Sequence, residues 1–152
     1  MDPSPALIST LQKLPLFQDL SPTQLKHLFR ICQQETYEEG ARLCSVGAHS
    51  DEMFIVLSGS VDIRSSEDAS LAVEKAVTSV GETGLLTGEV RAASVVTVEP
   101  VTALVIKRRP LQQLMQQDLP LAIRLYRNAM LIMRQKLIAA DERVEEMLKS
   151  HV

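Results

Sequence analysis

The spacing of apolar positions changes character along this chain, and each change predicts a different element. Over residues 1–35 the pattern is helical. Leu11 and Leu14 give a short turn an apolar side, Ser9 or Thr10 can cap it, and Pro15 breaks it. Ser21-Pro22 then predicts a helix start. The hydroxyl can accept from an orphan amide, and the proline ring already holds the helical φ. Leu25, Leu28, Phe29 and Cys32 follow on one helical face. From residue 36 the period shortens to that of strands. Gly40 and Gly47 punctuate two segments, Ala41–Ser45 and Met53–Leu57; the second is a continuous apolar run, as expected of a strand covered on both faces. Ser58-Gly59 predicts a turn, and Val61–Arg64 alternates. A polar loop over Ser65–Ser70 leads into the mixed stretch Leu71–Val80. Arg91–Val98 and Val101–Ile106 read as a β pair around Glu99-Pro100, and Leu111, Leu114 and Met115 as a short helix.

The last stretch predicts one long helix, from about Asp118 as cap to Lys149. Leu119, Ile123, Tyr126, Met130, Met133, Leu137, Ala140, Val144 and Met147 recur at alternating steps of four and three, a heptad seam. Leu121, Leu125, Ala129 and Ile132 form a second stripe. One stripe can lie on the body of the protein while the seam meets a partner helix. At the usual helical rise the element reaches roughly 48 Å, so its far end is expected to overhang.

Composition narrows the functional classes. At 152 residues the chain suits a single domain with a full core. Aromatics make up only 3% and Trp is absent, so the core must be aliphatic. A net charge of −3 argues against general nucleic-acid binding, which needs excess cations to neutralise phosphates. Cys32 and Cys44 form neither a CxxC nor a four-ligand set, which predicts two buried or half-buried thiols in a reducing, cytoplasmic setting and no metal. The start Met-Asp-Pro-Ser-Pro has no basic region before an apolar core, so no signal peptide is expected, and no apolar run predicts a membrane span. His27, His49 and His151 are scattered, and no nucleophile, zinc or Walker pattern appears; the chain is not expected to be an enzyme.

The most specific chemistry lies in residues 81–95. Gly84-Leu85-Leu86 is too short for a strand and suits one tight helical turn, whose first amides point outward as donors to an anion. Arg91, ten residues after Gly81, can bring its fork back to the same anion. Glu82 would repel a phosphate, yet it can accept from a neutral hydroxyl beside one. An anion cradle, an arginine and a carboxylate for a hydroxyl describe a pocket for a sugar phosphate.

Val80-Gly81-Glu82, Leu85-Leu86 and Arg91-Ala92-Ala93-Ser94-Val95 resemble the phosphate-binding cassette of the cyclic nucleotide-binding domain family. Gly47-x-x-x-Asp51-x-Met53-Phe54-Ile55-Val56-Leu57-Ser58-Gly59-x-Val61 and the long helix resemble other parts of the same family. The resemblance implies a mainly β fold, a double-stranded β-helix or jelly roll, with N-terminal helices and a long C-terminal helix. Its parts would be a helical segment over 1–35, a β-roll over 36–117 with the cassette at 80–95, and a dimerisation helix over 118–150.

The resemblance also implies a ligand site of Gly81, Glu82, Thr83, Gly84, Leu85, Arg91, Ala92 and Ala93. Glu82 would hold the ribose 2′-hydroxyl and Arg91 the cyclic phosphate, while the amides of Gly81, Thr83, Gly84 and Ala92 line the anion. Ala92 stands where many cGMP-responsive relatives carry Thr, which favours cAMP over cGMP. Ala140 and Asp141 fall near the positions that bacterial activators place against the base. The implied partners are the cyclic nucleotide, a second copy through the long helix, and an effector protein. The sequence ends after that helix, with no segment for a helix-turn-helix, so a sensor domain without a DNA-reading unit is expected. One departure precedes the cassette: Ala76-Val77-Thr78-Ser79-Val80 replaces the family's usual Gly-Asp pair and aromatic. It motivates an alternative, a fold that binds no nucleotide and serves as a dimerisation or interaction module.

Overall fold

A computed structural model describes residues 2–151; Met1 and Val152 lie outside it. Two helices, α1 (Pro5–Gln12) and α2 (Pro22–Arg30), flank a single 3-10 turn at Pro15–Phe17. Both helices start the same way, with a serine cap followed by proline. Ser4 accepts from the Leu7 amide, and Ser21 forms a reciprocal capping box with Gln24. The cap of the first helix is therefore Ser4 rather than the expected Ser9 or Thr10, which lie inside α1. The second helix ends at Arg30, and Cys32, expected on its apolar face, instead opens strand β1 (Cys32–Tyr37).

The strands β2 (Arg42–Cys44), β3 (Glu52–Ser58), β4 (Ser60–Arg64), β5 (Ser70–Lys75), β6 (Thr78–Val80), β7 (Ser94–Thr97) and β8 (Val101–Lys107) complete the roll. They form two antiparallel four-stranded sheets, ordered β1-β8-β3-β6 and β2-β7-β4-β5. The continuous apolar run in β3 follows from its position. Phe54 and Val56 point between the sheets, with Val61, Val80, Val95, Val101, Ala103 and Val105. Met53 and Ile55 point the other way, into a cluster with Leu11, Phe17, Leu25, Leu111, Leu121 and Leu125 from the helices. One sheet is thus covered on both faces. Each fully buried aliphatic side chain contributes roughly 1.5–3 kcal/mol, so the core needs few aromatics. This is the jelly-roll architecture expected of the resemblance.

After the roll, α4 (Arg108–Gln117) starts three residues ahead of the expected Leu111. It leads to Asp118, whose carboxylate accepts from the Leu121 amide and caps α5 (Leu119–Ser150). The two stripes of α5 separate as expected. Leu121, Leu125 and Ala129 are buried against the body, while Leu119, Ile123, Tyr126, Met130, Met133, Leu137, Val144 and Met147 are exposed. Asn128 is buried among the apolar residues, and its Nδ2 donates to the carbonyls of Leu16 at 2.8 Å and Gln18 at 2.9 Å. It ties the N-terminal turn to the helix.

Candidate functional site

The cassette is built around Gly81. It has a left-handed backbone with φ of 81° and serves as N-cap of a short helix, α3 (Glu82–Thr87). Glycine adopts that conformation without the steric cost that a Cβ brings. A second reason is spatial: a Cβ on Gly81 would stand 2.6 Å from Nη1 of Arg91. The tight helical turn expected at Gly84-Leu85-Leu86 is therefore present and somewhat longer. Gly84 is held close by Ser50, whose Oγ occupies the space a Cβ would need and donates to the Glu89 carbonyl at 2.7 Å. The buried Ser50 hydroxyl pins the loop before β3 to the end of the cassette, a role that nothing in the local sequence pattern indicates.

Arg91 does not open a strand as the sequence suggested, since β7 begins at Ser94. It lies in the preceding loop because its main chain pairs with the 45–51 loop. Its amide donates to the Ala48 carbonyl, and its carbonyl accepts from the Gly47 amide, both at 2.8 Å. The side chain is only 6% exposed. Nη1 donates to the Gly81 carbonyl at 3.1 Å and Nη2 to the Glu52 carbonyl. The guanidinium thus bridges β3 and the start of the cassette, and these two bonds use part of its fork.

Gly81, Thr83, Gly84, Arg91, Ala92 and Ala93 come together on the wall of one cavity of about 100 Å³. Val80, Val95, Ile63 and Cys44 supply its apolar side, and Glu74 and Lys136 add charges. Two of the expected site residues are absent from that wall: Leu85, which turns its side chain into the core, and Glu82, which is buried behind it. Glu82 is 2% exposed, and its Oε2 is buried without a hydrogen-bond partner. Burial pushes its carboxyl above the usual carboxylate range. The Lys136 and Arg91 charges oppose that push, and Glu74 adds to it. Each of those three neighbours lines the cavity.

The cavity residue supplied by α5 is Lys136. Ala140 and Asp141, expected near the base, are exposed and off the wall. The heptad locates the helix face but not the height at which it crosses the roll. That height is set by long-range contacts such as Tyr126, whose hydroxyl donates to the Leu86 carbonyl at 3.4 Å. Glu74 was equally illegible, because its place depends on the β4–β5 pairing. Both cysteines are free thiols, Cys44 buried and Cys32 half-buried. Burial raises the Cys44 thiol and pushes Cys32 up to about 12. Among the described residues, no acidic, histidine and cysteine group could hold a metal ion. Nor is any helix there long and apolar enough to cross a membrane.

Residues 34–118, more than half of the chain, match the family description "Cyclic nucleotide-binding domain". The chain is 29% identical over 135 residues to glutaminase 1 of Bradyrhizobium diazoefficiens, covering 89% of this chain and 22% of that protein. It is 33% identical over 101 residues to a cyclic nucleotide-gated potassium channel of Mesorhizobium japonicum, covering 66% of this chain and 28% of the channel. It thus spans about a quarter of the length of these relatives. Among solved structures, the catabolite activator protein of Thermus thermophilus superposes with a TM-score of 0.71 at 26% identity, over 88% of this chain and 62% of that one. With the family pattern matched across the roll and the cassette, this chain belongs to the cyclic nucleotide-binding domain family.

Proposed function

We propose that this chain is a non-enzymatic regulatory sensor that binds cAMP in preference to cGMP and relays binding through α5 in a homodimer. The observation that carries the reading is the orphaned Oε2 of Glu82, buried at the head of a cassette shaped for an anion, with the Lys136 and Arg91 charges acting on it. A buried carboxylate oxygen without a donor is costly. A ribose 2′-hydroxyl supplies that donor, while the remaining donors of Arg91 and the amides of Gly81, Thr83, Gly84 and Ala92 meet the cyclic phosphate. Ala92 offers no hydroxyl to guanine, which favours the adenine nucleotide.

The roles of Leu85 and Ala93 follow from this arrangement. Leu85 anchors α3 in the core, and Ala93 keeps the wall low beside the sugar. The cavity, at about 100 Å³, is smaller than the roughly 300–1,000 Å³ of common ligand sites. Lys136 stands on its wall, so a nucleotide must displace that side chain and shift α5. The shift is limited by the ligand's difference in affinity for the two helix poses. The exposed seam of α5 supplies an apolar face for a second copy. Residues 1–150 act in this reading as one domain, and the effector is a further protein or an adjoining segment.

Calorimetry with cAMP, cGMP and a cyclic dinucleotide tests the reading. Heat with cAMP, and weaker binding of the other two, is expected; silence with all three at millimolar concentration overturns it. A second reading, a dimerisation module that takes no nucleotide, has one observation in its favour: part of the Arg91 fork is spent on the Gly81 and Glu52 carbonyls. It predicts that same silence together with an intact dimer.

A further inference from the structure

A groove runs along one flank of α5, between the helix and residues 15–19. It consists of two adjoining hollows of about 380 and 450 Å³, which share Gln18, Asp19, Arg127 and Asn128. Pro15, Leu131 and Ile132 wall the larger one, and Leu131 is 45% exposed there. The floor is fixed. Asn128 is buried, and its amide holds the Leu16 and Gln18 carbonyls against the helix. Arg124 fixes the lip, donating from Nη1 to the Asp19 carbonyl at 2.8 Å. The groove is therefore built into the single chain.

Its charge runs against that of the protein. The chain carries −3 overall, yet residues 119–140 contain Arg124, Arg127, Arg134 and Lys136 and no acid. Arg124, Arg127 and Lys136 stand on the groove. Among the described residues, Asp19 is the sole acid on its lining, with its carboxylate 4.0 Å from Arg127. An apolar trough with a cationic rim suits an apolar ridge flanked by acids. The trough follows α5 from Pro120 to Gln135, roughly 22 Å at the helical rise. A partner helix of about four turns spans that length. With leucine or isoleucine three and four apart and aspartate or glutamate beside them, it presents such a ridge. The seam does not compete for this surface. With the seam residues at a and d, Arg124 and Leu131 fall at b, Ile132 at c, and Asn128 and Gln135 at f. A second copy on the seam reaches a, d, e and g, and leaves b, c and f open.

We propose that this groove is the docking surface for an effector protein, which lays an acidic amphipathic helix along α5. The proposal names the effector's chemistry and does not depend on nucleotide binding. The apolar ridge settles on Pro15, Leu131 and Ile132, and the acids meet Arg124, Arg127 and Lys136. The apolar contact holds the helix, while the charges steer it and select which helix fits.

Selection of random 16-residue peptides displayed on phage, against the full chain, tests this. The bound sequences should converge on leucine or isoleucine at helical spacing with aspartate and glutamate beside them. One selected peptide, labelled with fluorescein, is then titrated in anisotropy. Leu131→Glu and Arg127→Glu, both at exposed positions, should each weaken it by about 10-fold. A version of the peptide with lysine for its acids should prefer Arg127→Glu over wild type, which a merely unfolded variant could not produce. Met130→Glu with Leu137→Glu, on the seam, should leave binding within about 2-fold. The proposal is overturned by a selection that yields no binder or sequences without acidic excess. Affinity unchanged in Leu131→Glu and Arg127→Glu overturns it too, as does binding lost in the seam variant. Sedimentation equilibrium of the full chain covers the other occupant: self-association lost in Leu131→Glu with Arg127→Glu would assign the groove to a second copy instead.

Discussion

Nη1 of Arg91 donates to the Gly81 carbonyl at 3.1 Å and stands 2.6 Å from the point where a Gly81 side chain would begin. The glycine and the arginine therefore fit each other, and neither position can change alone. Gly81→Ala is expected to lose about 1–2 kcal/mol from the left-handed backbone, and more from displacing the guanidinium. Thermal melting should show the loss, and cAMP affinity should fall with it because the fork is moved from the anion site.

Arg91→Lys keeps the charge but loses the fork, so it separates positioning from simple electrostatics. A lysine cannot bridge the Gly81 and Glu52 carbonyls and also meet a phosphate bidentately. Calorimetry should show cAMP binding weakened by about 10-fold in Arg91→Lys and by about 100-fold or more in Arg91→Ala. Equal effects from the two substitutions would contradict this assignment.

Glu82 gives a pH dependence with a definite sign. Its carboxyl is raised in the folded protein above the ordinary 4.5. Between that value and the raised one, the folded state holds a proton that the unfolded chain has released. Stability therefore falls as pH rises through this window, by about 1.4 kcal/mol for each unit of the shift. Glu82→Gln removes the dependence and should melt higher than wild type at neutral pH, with the gap closing below pH 4.5. A ribose hydroxyl favours the ionised acid, so cAMP binding should release a proton and tighten as pH rises through the same window. Calorimetry in buffers of different ionisation enthalpy measures that proton.

Asn128 is the buried polar link between α5 and the N-terminal turn. Asn128→Ala leaves two carbonyls without their donor and should destabilise the protein by about 2–4 kcal/mol. Hydrogen exchange should then open the 14–20 segment ahead of the roll.

The seam can be tested without touching the site. Met130 and Leu137 are 67% and 63% exposed in the single chain. Replacing both with Glu should leave the monomer's stability within about 0.5 kcal/mol. Light scattering is expected to show a dimer for wild type and a monomer for the variant. A wild type that is monomeric at high concentration would argue against the proposed use of α5.

Local signals in this chain are unambiguous where one element alone decides them. The serine–proline pair at Ser21-Pro22, the aspartate cap at Asp118, the two stripes of the long helix and the glycine–glutamate–arginine string can all be read without neighbours. Their physics acts over a turn or a heptad. Strand β1 could not be read that way. Its sequence, Cys-Gln-Gln-Glu-Thr-Tyr, is polar and largely exposed, and only pairing with β8 makes it an edge strand. The same holds for the start of β7. Arg91–Ala93 has strand-like neighbours, but Gly47 and Ala48 claim the main chain of Arg91 for a loop.

By itself the sequence determined which residues could form helices and strands, which helix face was apolar, and that an arginine and a carboxylate flank a glycine-led turn. Tertiary structure decided which distant groups share one cavity. It put Ser50 behind Gly84 and orphaned the Glu82 oxygen. It also placed Glu74 and Lys136 on the cavity wall, and not Ala140 or Asp141. The reason is range. Capping and amphipathic periodicity act between residues a few positions apart, whereas a cavity is defined by where separate elements cross, and packing across the whole core sets those crossings.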